Sequence, residues 1–323
     1  MDLPSSLRSL GRGVGIASRA VAARLGEHGP ARPETSPAAP GRFVVLREFG
    51  ANPGRLRLRG YLPARAVCPG APLVVLLHGC GQDAADFAAE AGWTGLADRL
   101  RLPLLLPEQQ PENNRQRCFD WFHLAATMRG HGEAASIAAI VDAAAARFQS
   151  DRRRVFVAGL SAGGAMAAVM LAAYPDVFAA GSAFAGLPVG EATSMVRALG
   201  LMARGGAEAT PAERVERARR VAPPDYCGPW PRLSVWRGEA DQTVVPENGA
   251  RLAAQWRALH GLAEPPTRRS AYCQAWGNAV ELWTLPGLGH AWAIGAGSGR
   301  GSEFAVQGTV DAVTEIARFW GIG

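Results

Sequence analysis

A chain of 323 residues with 48% hydrophobic side chains can bury a sizeable core, as one large domain or two small ones. Its net charge of +6 dissolves when mapped along the sequence: every basic residue is Arg, the first 65 residues hold eleven Arg against four acids, and the remainder holds 23 Arg against 24 acids. A body so close to neutral excludes nucleic acid as a partner, and no run approaches the ~18–20 apolar residues of a membrane span.

Residues 4–26 read as a short Arg-bearing amphipathic helix and 27–41 as a Pro-, Ala-, Glu- and Ser-rich linker. Residues 1–41 are therefore expected to be a basic, disordered tail ahead of a domain at 42–323. Arg interrupts this leader too often for the roughly 7–15-residue apolar stretch of a secretory signal. The five cysteines, Cys68, Cys80, Cys118, Cys227 and Cys273, include no CxxC pair, so no structural zinc is expected, and an odd count leaves at least one free thiol.

Residues 42–49 and 55–63 read as two early strands, the second alternating Leu with Arg as a half-exposed edge does. PLVVLLHG (72–79) is a short continuous apolar run, the pattern of a strand buried on both faces of a parallel sheet. The periodicity then predicts a helix over 83–100, a buried strand over 102–109, a helix over 132–148, a strand over 153–160, a helix over 164–175 and a strand over 178–186. The irregular stretch 187–232 is expected either to cap the site or to be an ordinary surface excursion. A strand at 233–238, a helix over 247–260, a loop to 278, a strand at 280–287 and a last helix over 309–321 complete the chain. Strands alternating with helices predict a doubly wound α/β domain, its mainly parallel sheet covered by helices on both faces.

The heptapeptide AGLSAGG (158–164) sits where a buried strand passes into a helix. Glycines two residues either side of Ser161 relieve the crowding of a sharp turn, and the turn projects the serine hydroxyl at the positive end of the following helix. A serine nucleophile needs a general base, and the base needs a partner that fixes its tautomer; in this arrangement the chain order is Ser, acid, His. Of six histidines only His260 and His290 follow far enough, and His260 falls inside a predicted helix. His290, in LPGLGHAW, lies in a Gly-rich loop after the last strand. The loop after strand 233–238 offers Asp241 and Glu239; the G-x-x-D spacing before VVP favours Asp241. Two backbone N–H groups are needed for an oxyanion, and they are expected from Ala162 and from Cys80 in LLHGCGQ, with His78 in a structural role. Trp121, in RCFDWFH, and Trp292, beside His290, are expected to wall the substrate pocket.

Several stretches together resemble esterases of the polyhydroxybutyrate depolymerase type, which hydrolyse short-chain polyesters and are related to feruloyl and acetylxylan esterases. They are LLHGCGQ, GWTGLADR, PEQQPENNRQRCFDWF, RGHGEAASI, RRVFVAGLSAGGAMAAVMLAAYPDVFAAGSAFAGLP, GPWPRLSVWRGEADQTVVP, LPGLGHAW and the terminal FWGIG. The resemblance covers roughly residues 42–323 and implies the α/β-hydrolase fold, with Ser161 as nucleophile, Asp241 as orienting acid, His290 as base, and Cys80 and Ala162 as oxyanion donors. It further implies a disulfide between Cys80 and Cys118, with free buried thiols as the competing reading. The resemblance implies a place outside the cell, with the cytoplasm as the alternative, and the family's secreted members often carry a polymer-binding domain. This sequence shows neither a signal nor that domain, so the expected substrates are small or oligomeric esters. Residues 262–279 depart from the family pattern.

The expected activity is ester hydrolysis through an acyl-enzyme, on hydroxyalkanoate-type esters or on feruloyl or acetyl esters, with no metal or organic cofactor. A non-catalytic binding protein on a hydrolase fold is the rival of a different class.

Overall fold

The computed structural model describes residues 40–47 and 49–323, so the expected tail lies outside the described residues except at its last two positions. The chain begins with β1 (Arg42–Val45), β2 (Arg57–Leu62) and β3 (Leu73–Leu77), then α1 (Ala84–Glu90), α2 (Trp93–Leu100) and β4 (Leu104–Glu108). After a short α3 (Leu124–Thr127) come α4 (Gly132–Phe148), β5 (Val155–Leu160), α5 (Ala162–Ala173) and β6 (Ala180–Phe184). The stretch 187–232 carries α6 (Met195–Arg204) and α7 (Pro211–Arg219), followed by β7 (Arg232–Gly238) and α8 (Glu247–Leu259). The remainder is β8 (Arg268–Arg269), β9 (Cys273–Trp276), β10 (Val280–Leu285), β11 (Trp292–Ile294), β12 (Ala305–Gln307) and α9 (Ala312–Trp320).

Ten strands form one sheet in the order β1-β2-β4-β3-β5-β6-β7-β10-β9-β8. The middle six, β4 to β10 in that order, run parallel, and antiparallel pairs extend both edges. Every residue of β3, β4, β5 and β6 is buried, which requires cover on both faces of the sheet. This is the doubly wound α/β architecture expected from the alternation of elements. All twelve residues of α5 are buried as well, and its Ala- and Gly-rich sequence is what lets a helix pass so closely against strands.

Register brings the strand ends together. Leu77 pairs with Gly159, Leu160 with Phe184, Phe184 with Trp236, and Gly238 with Leu285, so the loops after β3, β5, β6, β7 and β10 leave from one edge. Beneath that edge runs a continuous file of aromatic rings. Trp236 stacks on Trp283 at 4.5 Å and on Phe184 at 5.5 Å; Phe184 meets Trp292 at 4.8 Å, Trp292 meets Trp93 at 5.9 Å, and Trp93 meets Trp320 at 5.5 Å. Each such contact adds about 0.5–1.5 kcal/mol to the burial of the rings themselves.

Three features depart from expectation. The helix over 83–100 is two helices, interrupted at Ala91 and Gly92. The loop to 278 contains β8 and β9, which add antiparallel strands beyond β10. β11 and β12 form a separate two-stranded sheet. These strands have two to four residues each, too short for an alternating pattern, and their pairing partners decide them.

Trp93→Ala would break two links of the aromatic file. It is expected to cost about 3–5 kcal/mol, read as a lowered denaturation midpoint, with KM for soluble esters unchanged.

Candidate active site

Ser161 ends β5 and is the N-cap of α5, with φ 58° and ψ −120°, a backbone region that L-residues rarely occupy. The flanking glycines are needed for more than each other. A Cβ on Gly163 would collide with the carbonyl oxygens of Leu77 and His78, the second at 2.5 Å, and one on Gly159 would come within 2.8 Å of Leu77 O. The turn is thus pressed against the end of β3, and only hydrogen atoms fit between. The Ser161 N–H donates to Phe184 O at 2.8 Å, which anchors the turn to β6.

Asp241 follows β7 and is 4% exposed. Its Oδ1 accepts the N–H groups of Thr243 and Val244, both at 2.9 Å, and its Oδ2 meets His290 Nδ1 at 2.8 Å. One oxygen is locked by backbone, so the other has a single orientation to offer the imidazole. The alternative, Glu239, is exposed. Gly238 permits the pairing: a Cβ there would strike the carbonyls of Leu288 and Gly289, so its absence lets the histidine loop lie on the acid loop. His260 is the C-cap of α8, and its ring lies 3.2 Å from Pro231 O.

The loop after β3 carries Cys80, disulfide-bonded to Cys118. Between the two readings left open for these cysteines, the bridge is the one present. Gly81 N–H also donates to Gln116 O at 2.7 Å and Gly81 O accepts from the Arg117 guanidinium, so the loop is fastened to the 116–118 segment three times. Ala162 is the first residue of α5, where an N–H has no partner inside the helix.

Cys80, Ser161 and Ala162 share one cavity of about 540 Å³. One side is polar, with Gln109, Asn113, Asn114 and Gln116; the other is apolar, with Phe119, Trp121, Leu187 and the α6 residues Met195, Leu199 and Met202. The Asp241–His290 pair stands on neighbouring loops of the same sheet edge, outside the lining of this cavity. Trp121 lines the cavity as expected, but Trp292 does not. It is fully buried and packs on Phe87, Trp93 and Phe184, because the start of β11 directs it into the core while its neighbour His290 stays in the loop.

Two buried titratable groups complete the site. His78 Nδ1 donates to Gly79 O at 2.7 Å and Nε2 accepts Gln109 N–H at 3.1 Å, an arrangement that requires the neutral ring. Burial lowers its pKa to about 4. Glu133, at the start of α4, lies in the cavity wall; its carboxyl accepts the Asp120 N–H at 2.9 Å and the side-chain amide of Gln109. Burial raises its pKa to about 8, and the Asp120 carboxylate adds to that while the Asp120 N–H and Gln109 oppose it. The sequence reading passed over Glu133, since an acid in a first helical turn is ordinarily a solvated partner of the helix dipole. The signal was its spacing: Glu133 falls on the same face as Ile137, Ile140, Val141 and Ala144, all buried.

The family model for the PHB depolymerase esterases matches residues 56–274. The chain belongs to this family. The chain is 40% identical to the poly(3-hydroxyalkanoate) depolymerase C of Paucimonas lemoignei over 266 residues, which span 80% of this chain and 63% of that protein. An acetylxylan esterase of Coprinopsis cinerea is 34% identical over 273 residues, 79% of this chain and 72% of its own. The solved acetyl xylan esterase from Aspergillus awamori superposes with a TM-score of 0.76 at 22% identity, over 88% of this chain and all of its own, a likeness of fold. The family model ends at residue 274, inside β9, within the 262–279 segment expected to depart from the family pattern.

Two tests follow from the geometry. Gly163→Ala forces the turn at Ser161 away from β3 and is expected to cost more than about 2 kcal/mol, measured by denaturant unfolding. The second concerns His78, whose ring resists protonation in the fold but not in the unfolded chain. Its contribution is complete above pH 6.5, the ordinary value, and is lost as pH falls toward about 4. Glu133 acts oppositely, destabilising the fold as pH rises from 4.5 to about 8. Comparison with a variant therefore isolates the histidine: the difference in Tm between wild type and His78→Gln should narrow from pH 6.5 to 4, and a constant difference refutes the assignment.

Proposed function

We propose that the protein is a serine esterase that hydrolyses short-chain hydroxyalkanoate-type esters through an acyl-enzyme. The observation that carries this reading is the buried Asp241 carboxylate, held by two backbone N–H groups and bonded to His290, on the sheet edge where Ser161 leaves its strained turn. His290 takes the Ser161 proton as Oγ attacks the ester carbonyl, while Asp241 holds the proton of Nδ1 in place so that Nε2 is the base. The tetrahedral oxyanion is received by the N–H groups of Cys80 and Ala162. Collapse expels the alcohol with a proton from His290. Water, activated by the same imidazole, then attacks the acyl-serine and releases the acid.

The 40%-identical depolymerase supports a hydroxyalkanoate ester as substrate, and the apolar side of the cavity suits short alkyl side chains. The chain spans 63% of that depolymerase's length, and the proposal is made for soluble and oligomeric esters. In this reading residues 187–232 act as the cap, since Leu187 and α6 supply much of the apolar wall. A second reading, deacetylation of a hydroxyl-rich alcohol, draws on the side-chain amides of Asn113, Asn114 and Gln116 in the polar wall, which can pair with sugar hydroxyls, and on the acetylxylan esterase relative.

The test is hydrolysis of p-nitrophenyl esters from two to eight carbons, hydroxybutyrate oligomers, acetylated xylo-oligosaccharides and a feruloyl ester, with fluorophosphonate labelling alongside. Ser161→Ala is expected to abolish labelling and turnover, and Asp241→Asn to lower kcat by at least about a thousandfold. Turnover of the acetylated sugars alone transfers the substrate assignment to the second reading. A wild type that neither turns over nor labels returns the binding-protein reading.

A further inference from the structure

Three sequence motifs that share no secondary-structure element, LLHGCGQ, PEQQPENNRQRCFDWF and RGHGEAAS, meet in a single closed circuit. From Cys80 the disulfide leads to Cys118, and two residues on the Asp120 N–H donates to Glu133 at 2.9 Å. The second oxygen of Glu133 accepts from the Gln109 side-chain amide, the Gln109 N–H donates to His78 Nε2, and His78 Nδ1 donates to the carbonyl of Gly79, the residue before Cys80. The ring thus consists of one covalent bridge, four hydrogen bonds and the chain between them. It encloses the loop from which the Cys80 N–H is offered to the oxyanion, and it includes the base of the wall formed by Phe119 and Trp121.

We propose that Glu133 is a positioning residue for ester hydrolysis, holding the Cys80 loop and the aromatic wall at one fixed spacing through Asp120 and Gln109. The inference rests on the esterase reading above and deepens it, for it names what keeps the oxyanion donor in place. Glu133 has no part in the Ser161, His290 and Asp241 chemistry, and no solvation need explains a carboxyl group 7% exposed inside a catalytic cavity. Its two acceptor oxygens match two donors on separate segments, a match that neither an apolar residue nor a shorter acid provides.

The charge state follows from what surrounds it. No cation pairs with Glu133 among the described residues. On the β4 side Glu108 is already neutralised by Arg57 and Arg59, and Gln109 is uncharged. On the wall side stands Asp120, itself paired with His123 at 2.8 Å; behind Gln109 is the neutral ring of His78, and on its own helix His131 is the N-cap. The carboxyl group accordingly keeps its proton at neutral pH and loses it at about 8. Ionisation then puts a negative charge in the wall of the cavity where the oxyanion forms, and like charges in a poorly solvated site repel strongly. The working form is the protonated one.

The experiment is the pH dependence of kcat and KM from pH 6 to 9.5 on a soluble p-nitrophenyl ester, for wild type, Glu133→Gln and Glu133→Ala, with near-UV circular dichroism of each. Wild type should lose kcat/KM as pH rises through about 8, with the loss in kcat. Glu133→Gln, neutral at every pH, should lack that decline, whereas Glu133→Ala should lower kcat at pH 6.5 by at least about tenfold with a smaller change in KM. The Gln variant, whose carbonyl oxygen keeps one of the two acceptors, should recover part of that loss. An alkaline decline that persists unchanged in Glu133→Gln, or full kcat in Glu133→Ala, overturns the proposal. So does a wild-type profile flat from pH 7 to 9, whether or not either variant folds. If no ester turns over, the same profiles are read from the rate of Ser161 phosphonylation by a fluorophosphonate, which separates a wrong substrate from a wrong role for Glu133. A protein that fails to react with the probe as well overturns both.

Discussion

The active-site edge depends on one steric constraint: the first turn of α5 must pass the end of β3 with no side-chain atom between them. Gly159 and Gly163 satisfy it, and the backbone at Ser161 takes up the remaining curvature at φ 58°. A non-glycine residue in such a region costs about 1–3 kcal/mol. The Ser161 bond to Phe184 O and the complete burial of α5 offset it. Because β3 and β5 are adjacent and in register, the same close approach carries the Cys80 loop to the serine. Ser161 and the Cys80 loop are thus placed by one packing contact rather than by two independent ones.

Two buried carboxyl groups near this edge illustrate how donors assign roles. Asp241 receives two backbone N–H groups on one oxygen and an imidazole nitrogen on the other, so both oxygens are engaged. Glu133 receives one backbone N–H and one amide, faces Asp120, and has burial as its dominant influence. The same functional group is therefore set mainly by its own turn and one distant imidazole in one place, and by two segments distant in sequence in the other.

The architecture was legible wherever a pattern was long or its context strict. The runs at 72–79, 102–109 and 153–160 are unmistakable as buried strands, since their lack of alternation has few other physical causes, and the helix at 132–148 coincides with α4. Ser161, Asp241 and His290 each follow a strand, β5, β7 and β10 in turn, as the pattern of the sequence indicated. What escaped was decided by distant partners. β8 and β9 exist because β10 offers an open edge, and the break before α2 lies where Gly92 approaches the Ser298 carbonyl, more than two hundred residues away. Trp292 shows the limit of adjacency. Two positions beyond His290 the chain has already entered β11, and there the direction of a side chain is set by the pleat, whatever its neighbour does. Glu133 shows the converse, since its burial was written in the helical spacing but masked by the ordinary meaning of an acid in a first turn.

The aromatic file beneath the sheet edge separates two kinds of change that the chain can undergo over evolutionary time. Phe184, Trp236 and Trp292 tie the supports of the serine, acid and histidine loops into one rigid body, so drift among them is closely coupled to the chemistry. The apolar wall is different. Met195 and Leu199 on α6 are half exposed, and their replacement would leave that body untouched. A lineage with this scaffold can therefore explore new acyl or alcohol groups at the rim while its inherited reaction stays intact.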